Sequence, residues 1–144
     1  MKQIQAGDFN KLKKYFKNKS VRLVYLMGSQ ASGQIKPYSD IDMAVLFDQN
    51  LSAKQRFDAR IDLLSQLTKF LGNNNIDLID LQTAPPFFAY EAIKHRKELY
   101  VEDEDTRVSF ETRALTNYFD QKYYLRRHTL LGLGKLKEEY GIRS

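Results

Sequence analysis

Apolar positions along the 144-residue chain fall into short strand-like runs and longer runs at helical spacing. Phe9, Leu12 and Phe16 recur three and four residues apart behind Asp8, a helix-capping residue type, so residues 8–18 are expected to be a short helix. "VRLVYLM" (Val21–Met27) is β-branched and aromatic, a strand that stops at Gly28. "DIDMAVLF" (Asp40–Phe47) is a second strand with a buried apolar end. Ser52 can cap a long helix with an expected stripe of Phe57, Ile61, Leu64, Leu67 and Leu71; Gly72 closes it and Asn73–Asn75 make the turn. "IDLIDL" (Ile76–Leu81) is a third strand. Pro85 and Pro86 open a helix to about Arg96, with Phe87 and Phe88 expected as core aromatics, and "ELYV" (Glu98–Val101) is a short edge strand. After the acidic link 102–105, a helical stretch holds Val108, Leu115, Tyr118, Phe119, Leu125 and Leu130. Gly132 and Gly134 are expected to weaken it, with "KLKEEYG" as a last helical piece.

This order is α-β-β-α-β-α-β-α. Two strands in direct succession argue against a doubly wound parallel sheet. The expected class is α/β in the broad sense (α+β): a small mixed sheet, helices packed on one face, and a long C-terminal helical region. Residues 1–101 form the expected core, and residues 102–144 a helical extension of the same domain.

Composition narrows the function classes. A net charge of +5, from 23 basic and 18 acidic residues, suits an anionic ligand such as a nucleoside triphosphate, and also a polynucleotide or an acidic protein. The densest basic segment, Lys11–Lys19, reads as the solvated face of the first helix. The chain has no cysteine, which excludes disulfides and thiolate metal sites and is compatible with a reducing, cytoplasmic location. "MKQIQAGDFN" has no apolar h-region, and no run approaches the ~18 apolar residues of a membrane span, so neither a secretory leader nor membrane association is expected.

The chemistry concentrates in "MGSQASGQIKPYSDIDMAV" (Met27–Val45). Residues two apart in a strand point to one face, about 6.5–7 Å apart, so Asp40 and Asp42 project together while Ile41 turns into the core. Two such carboxylates repel unless cations lie between them. Hard oxygen ligands favour magnesium or manganese. A pair of metals about 3.5–4 Å apart can hold the attacking and leaving oxygens of an in-line displacement at phosphorus. Gly28 and Ser29 end the first strand at a turn whose free N–H groups suit phosphate oxygens, with a hydroxyl from Ser29. Tyr38 and Ser39, just before the aspartates, read either as turn residues or as the rim of the pocket.

Gly28-Ser29, ten residues, then Asp40-Ile41-Asp42 resembles the signature of minimal nucleotidyltransferases in the DNA polymerase beta superfamily. The likeness runs from about Val21 to Tyr100, with a similar C-terminal helix beyond. Within the superfamily the chain resembles the MNT-domain antitoxins that pair with HEPN-domain toxins. The resemblance implies a polymerase-beta-like fold with its nucleotidyltransferase core in residues 1–101. It also implies ATP as substrate, two magnesium ions on Asp40, Asp42 and a third acid, and transfer of AMP to a tyrosine of a HEPN toxin, presumed to be an RNase, in a heteromeric complex. The third acid maps to Asp77, which would also serve as general base. Periodicity alone leaves Asp77 and Asp80 open, since they are three apart and face opposite sides of a strand. Gly28, Ser29 and Ser39 form the expected nucleotide-binding set. Lys36 joins them as a substitute for an arginine the family often carries where this chain has Ser32. Loss of that arginine keeps a second function open, an antitoxin that occludes its partner without catalysis. A third is a nucleotidyltransferase acting on a small molecule or an RNA.

His95 and His128 lie in different helices without ligand spacing and read as surface or packing residues. Tyr123-Tyr124 with Arg126-Arg127-His128 reads as a protein interface or as ordinary packing, with nucleic acid the least favoured reading.

Overall fold

The computed structural model describes residue 4 and residues 6–27 and 41–141. Among the described residues the elements follow in order: α1 (Ala6–Lys17), β1 (Val21–Met27), β2 (Ile41–Phe47), α2 (Ala53–Leu71), β3 (Ile76–Asp80), α3 (Pro86–Lys94), β4 (Lys97–Val101) and α4 (Glu104–Tyr140). The strands form one mixed sheet in the order β3-β2-β1-β4. β1 runs antiparallel to β2 and β4, and β2 runs parallel to β3 across the α2 connection. Among the described residues no helix is long and apolar enough to cross a membrane.

Local chemistry sets the element ends. Ser52 and Gln55 form a reciprocal capping box at the start of α2: the Gln55 amide donates to Ser52 Oγ (3.2 Å) and the Ser52 amide to Gln55 Oε1 (2.8 Å). Gly72 ends α2 in the left-handed region, at φ 62°. α1 begins two residues earlier than the apolar pattern predicts, so Asp8 lies inside the first turn and is not the cap. Its lysines Lys11, Lys13, Lys14 and Lys17 are exposed while Leu12 and Phe16 are buried, as expected.

The expectation that helices cover one face is corrected. Leu12 and Phe16 of α1 and Leu63, Leu67 and Leu71 of α2 pack on Val24, Leu26, Met43, Val45 and Leu78. Ala89, Ala92 and Ile93 of α3 with Phe110 and Ala114 of α4 pack on Leu23, Tyr25, Ala44 and Leu46. The sheet is therefore sandwiched, and β1 and β2 are apolar on both sides. A bulge in β1 between Val21 and Leu23 breaks the alternation, placing these two residues in opposite clusters. The α2 stripe is also corrected. Phe57 and Ile61 face solvent, and the buried row is Leu63, Leu67 and Leu71 with Ala59 and Leu64 at its margin.

α4 is one unbroken helix of 37 residues, about 55 Å long, where two pieces were expected. Asp103 caps it through the Thr106 amide (2.7 Å), a bond that holds the Asp103 carboxyl below its usual range. Its first three turns are fastened to the sheet. The Tyr25 hydroxyl donates to Glu111 (2.9 Å), and Arg22 donates to Thr106 Oγ1 (2.6 Å). From Phe119 to Gly141 every residue is exposed.

Candidate active site

The candidate site lies where β2 and β3 begin. Their parallel register places Asp42 directly opposite Asp77 on strands about 4.8 Å apart. Alternation fixes the face. Ile41 and Met43, Ile76 and Leu78 enter the cluster beneath α1 and α2, so Asp42 and Asp77 project to the α3 side. The turn before β3 holds this register: Asn73 Oδ1 accepts from the Asn75 amide (2.7 Å), and the Asn75 carbonyl accepts from the Ile41 amide (2.8 Å). On the other flank Met27, the last residue of β1, pairs with Asp42.

Asp42 and Asp77 line one cavity of about 570 Å³. Met27 and Ile79 form its floor, and Phe87, Phe88, Glu91 and His95 of the α3 segment form its far wall. Asp77 is exposed and lies 3.7 Å from a guanidinium nitrogen of Arg60, which reaches round the open edge of β3 while its Nε donates to the Leu78 carbonyl (2.7 Å). Asp80 has different surroundings. It projects to the α2 side, where Arg56 Nε lies 3.1 Å from one carboxylate oxygen; the other accepts from the Gln82 amide (3.0 Å) in the turn that ends β3. Asp80 is thus engaged in holding α2 and a turn, and the geometry brings Asp77, not Asp80, to Asp42.

Gly28, Ser29, Ser32, Lys36, Ser39 and Asp40 lie outside the described residues. Among the described residues no cluster of three metal-ligating side chains occurs. The pair that is described, two carboxylates in register on one face, has the hard-oxygen donor chemistry that magnesium takes. A second cavity, of about 370 Å³ between Arg22, Phe110 and Arg113, lies at the far end of the same face and has no carboxylate in its wall.

The sequence pattern misses the far wall. His95 is set aside there as a surface or packing residue, yet it caps α3 on the rim of the carboxylate cavity, with Nε2 3.8 Å from Glu91 Oε2. Phe87 and Phe88 are expected in the core, yet they are 52% and 48% exposed. The signal was available in part: proline at the first position of α3 with aromatics immediately after it puts rings on the first turn, and only the packing of α3 decides which way they face.

An α-β-β-α-β frame that sets strand-borne carboxylates in register, in a sequence with Gly-Ser directly after the first strand, defines a class of phosphoryl-handling proteins. The family model described as polymerase beta, nucleotidyltransferase matches residues 10–105, and the chain belongs to this family. It is 28% identical over 117 residues, 80% of each chain, to the protein adenylyltransferase MntA of Shewanella oneidensis. A solved toxin–antitoxin with AMP-PNP superposes with a TM-score of 0.64 at 25% identity, covering 87% of this chain and 96% of that one. The MntA-HepT toxin–antitoxin gives a TM-score of 0.63 at 25% identity, covering 89% and 97%.

Proposed function

We propose that the protein is an antitoxin that transfers AMP from ATP to a tyrosine hydroxyl of a cognate HEPN-domain toxin. The observation that carries this reading is the facing pair Asp42 and Asp77 in one cavity. It gains weight from membership of the nucleotidyltransferase family and from the likeness to MntA, a protein adenylyltransferase. In the reaction the acceptor oxygen bonds to the α-phosphorus of ATP, the bond to the β-phosphate oxygen breaks, and pyrophosphate leaves. Asp77 takes the acceptor's proton. Asp40, Asp42 and Asp77 are the residues that would hold magnesium, which supplies charge neutralisation at the phosphates when bound. Gly28, Ser29, Ser39 and Lys36 are assigned to the nucleotide. Arg60 holds the Asp77 carboxylate from the edge of the sheet.

Residues 1–101 carry the transfer in this reading, and residues 102–144 carry the partner. Tyr123, Tyr124, Leu125, Leu130, Leu133, Leu136 and Tyr140 are all about half exposed or more, which removes ordinary packing within this chain as their role. A run of apolar side chains this long on one projecting helix is a surface that a protein partner covers. The same observation favours a second reading, occlusion of the toxin by α4 without catalysis.

The deciding experiment incubates the protein with labelled ATP, magnesium and the cognate HEPN-domain protein, and reads AMP on the partner by mass. Transfer by the native protein, with a loss of at least about a hundredfold in Asp42→Asn and Asp77→Asn, supports catalysis. Equal silencing of the toxin by native and Asp42→Asn/Asp77→Asn protein supports occlusion instead.

A further inference from the structure

Among the described residues, large apolar side chains stand in solvent along α4, at Phe57, Ile61 and Phe70 of α2, and on the first turn of α3. The α3 group alone borders the carboxylates. Phe87 and Phe88 stand edge to face, with ring centres 5.7 Å apart and planes at 74°, and each is about half exposed. Both rings wall the cavity that contains Asp42 and Asp77. Phe88, Glu91 and His95 follow at helical spacing along the same wall, so one face of α3 looks across at the carboxylates. An aromatic pair kept wet beside ionisable groups is a ring-binding surface awaiting a ring.

We propose that Phe87 and Phe88 are the acceptor subsite, taking the phenol ring of the target tyrosine and presenting its hydroxyl to Asp77. This rests on the reading of the protein as a tyrosine adenylyltransferase and names the part of the site that selects the acceptor. The charge of the cavity separates this from a nucleotide platform. Among the described residues its wall carries three carboxylates, Asp42, Asp77 and Glu91, with His95 beside Glu91 and Arg60 3.7 Å from Asp77. Such a wall repels a polyphosphate except where cations intervene, and accepts a neutral phenol. Position agrees. The first turn of α3 meets β3, where Phe88 shares a wall with Asp77 and Ile79, while the Gly-Ser segment assigned to the triphosphate follows Met27 at the end of β1. Asp77 is exposed on an edge strand, so a protein-borne side chain reaches it from solvent.

The test compares native protein with Phe87→Ala/Phe88→Ala and with Phe87→Leu/Phe88→Leu. Both rings are half exposed, so melting temperature checks that the variants remain folded. Two quantities are read: kcat/KM for the HEPN acceptor at saturating ATP, and affinity for α,β-methylene-ATP, an analogue that cannot be cleaved at the reacting bond. The expected result is a fall of about tenfold or more in kcat/KM for the alanine pair, a smaller fall for the leucine pair, and analogue affinity within about twofold of native. Analogue affinity falling in step with transfer makes the rings a nucleobase platform and overturns the proposal, as does unchanged transfer. Native protein that places AMP on serine or threonine but on no tyrosine overturns the functional reading itself, and with it the subsite. These failures are distinguishable because the first two require an active tyrosine transferase.

Discussion

Tyr25 offers the sharpest stability test, because its hydroxyl can be removed without changing the packing around it. The ring is fully buried in β1 beneath α4, and its hydroxyl donates to Glu111 at 2.9 Å. Glu111 also receives Arg96 (3.2 Å) and Arg107 (2.9 Å), so it retains two cationic partners when the phenol is gone. Tyr25→Phe therefore leaves no unpaired charge and no cavity, and only a hydrogen bond to an ionised group is lost. Such bonds contribute about 1.5–3 kcal/mol, and the remaining guanidinium partners put the expected loss at about 1–2 kcal/mol. For a 144-residue chain the unfolding entropy is about 0.3 kcal/mol per degree, so the melting temperature should fall by about 3–7 °C. Glu111→Ala is expected to cost more, about 2–4 kcal/mol, since it leaves a buried hydroxyl without its acceptor and two arginines without their shared carboxylate. The decisive measurement is the double-mutant cycle by denaturant unfolding. With Glu111 absent, Tyr25→Phe removes a buried donor that has no partner and should be neutral or stabilising. If it costs the same with and without Glu111, the bond is not what fastens α4 to the sheet and the reasoning fails.

Two further expectations concern the alkaline limb and the projecting helix. Burial, then the bond to Glu111, push the Tyr25 phenol above its ordinary value near 10, so the folded state favours the neutral form. That contribution is complete below about pH 10 and is lost as pH rises beyond it; thermal melts from pH 9 to 11 should show native stability declining more steeply than that of Tyr25→Phe, in which Tyr15 and Tyr100 are retained. Leu125, Leu133 and Leu136 lie along one face of α4 and are all about half exposed; changing all three to serine should shift stability by about 0.5 kcal/mol or less per site, while calorimetry shows affinity for the HEPN partner falling by about tenfold or more.

The features legible in the sequence were those set by neighbours along the chain. The Ser52 cap, the Gly72 stop, the strand Val21–Met27 and the edge position of β4 all rest on local chemistry, and the structure has them. What depended on distant partners was not legible. α2 carries two overlapping apolar rows, Phe57-Ile61-Leu64 and Leu63-Leu67-Leu71, and periodicity cannot say which meets the sheet. Gly132 and Gly134 each cost about 1 kcal/mol in a helix, which the leucines and lysines around them outweigh, so α4 continues to Tyr140. The sidedness of the helices followed the same rule: β1 and β2 are apolar on both faces, and a near-continuous apolar run of that kind signals cover on both sides more strongly than strand order does. In the candidate site, the side to which Asp42 projects could be read from alternation, whereas the far wall of α3 could not, because nothing local to "PPFFAYEAIKH" says that it faces carboxylates.

The difference between Asp77 and Asp80 shows how little the chain needs to specialise two identical side chains. They are three residues apart on a five-residue strand, so one must face each side of the sheet. On the side covered by α2, Arg56 is close enough to pair with Asp80. On the other side no helix among the described residues lies over the start of β3, and Asp77 stays exposed, with Arg60 reaching it from around the edge. A slip of one residue in β3 would exchange these environments and put the paired acid into the cavity. The Asn73–Asn75 turn and its bond to Ile41 oppose that slip by tying the first residue of β2 to the residue before β3. The candidate site therefore depends on a short polar turn that contributes no group to the reaction, and its geometry is decided by register before any ligand arrives.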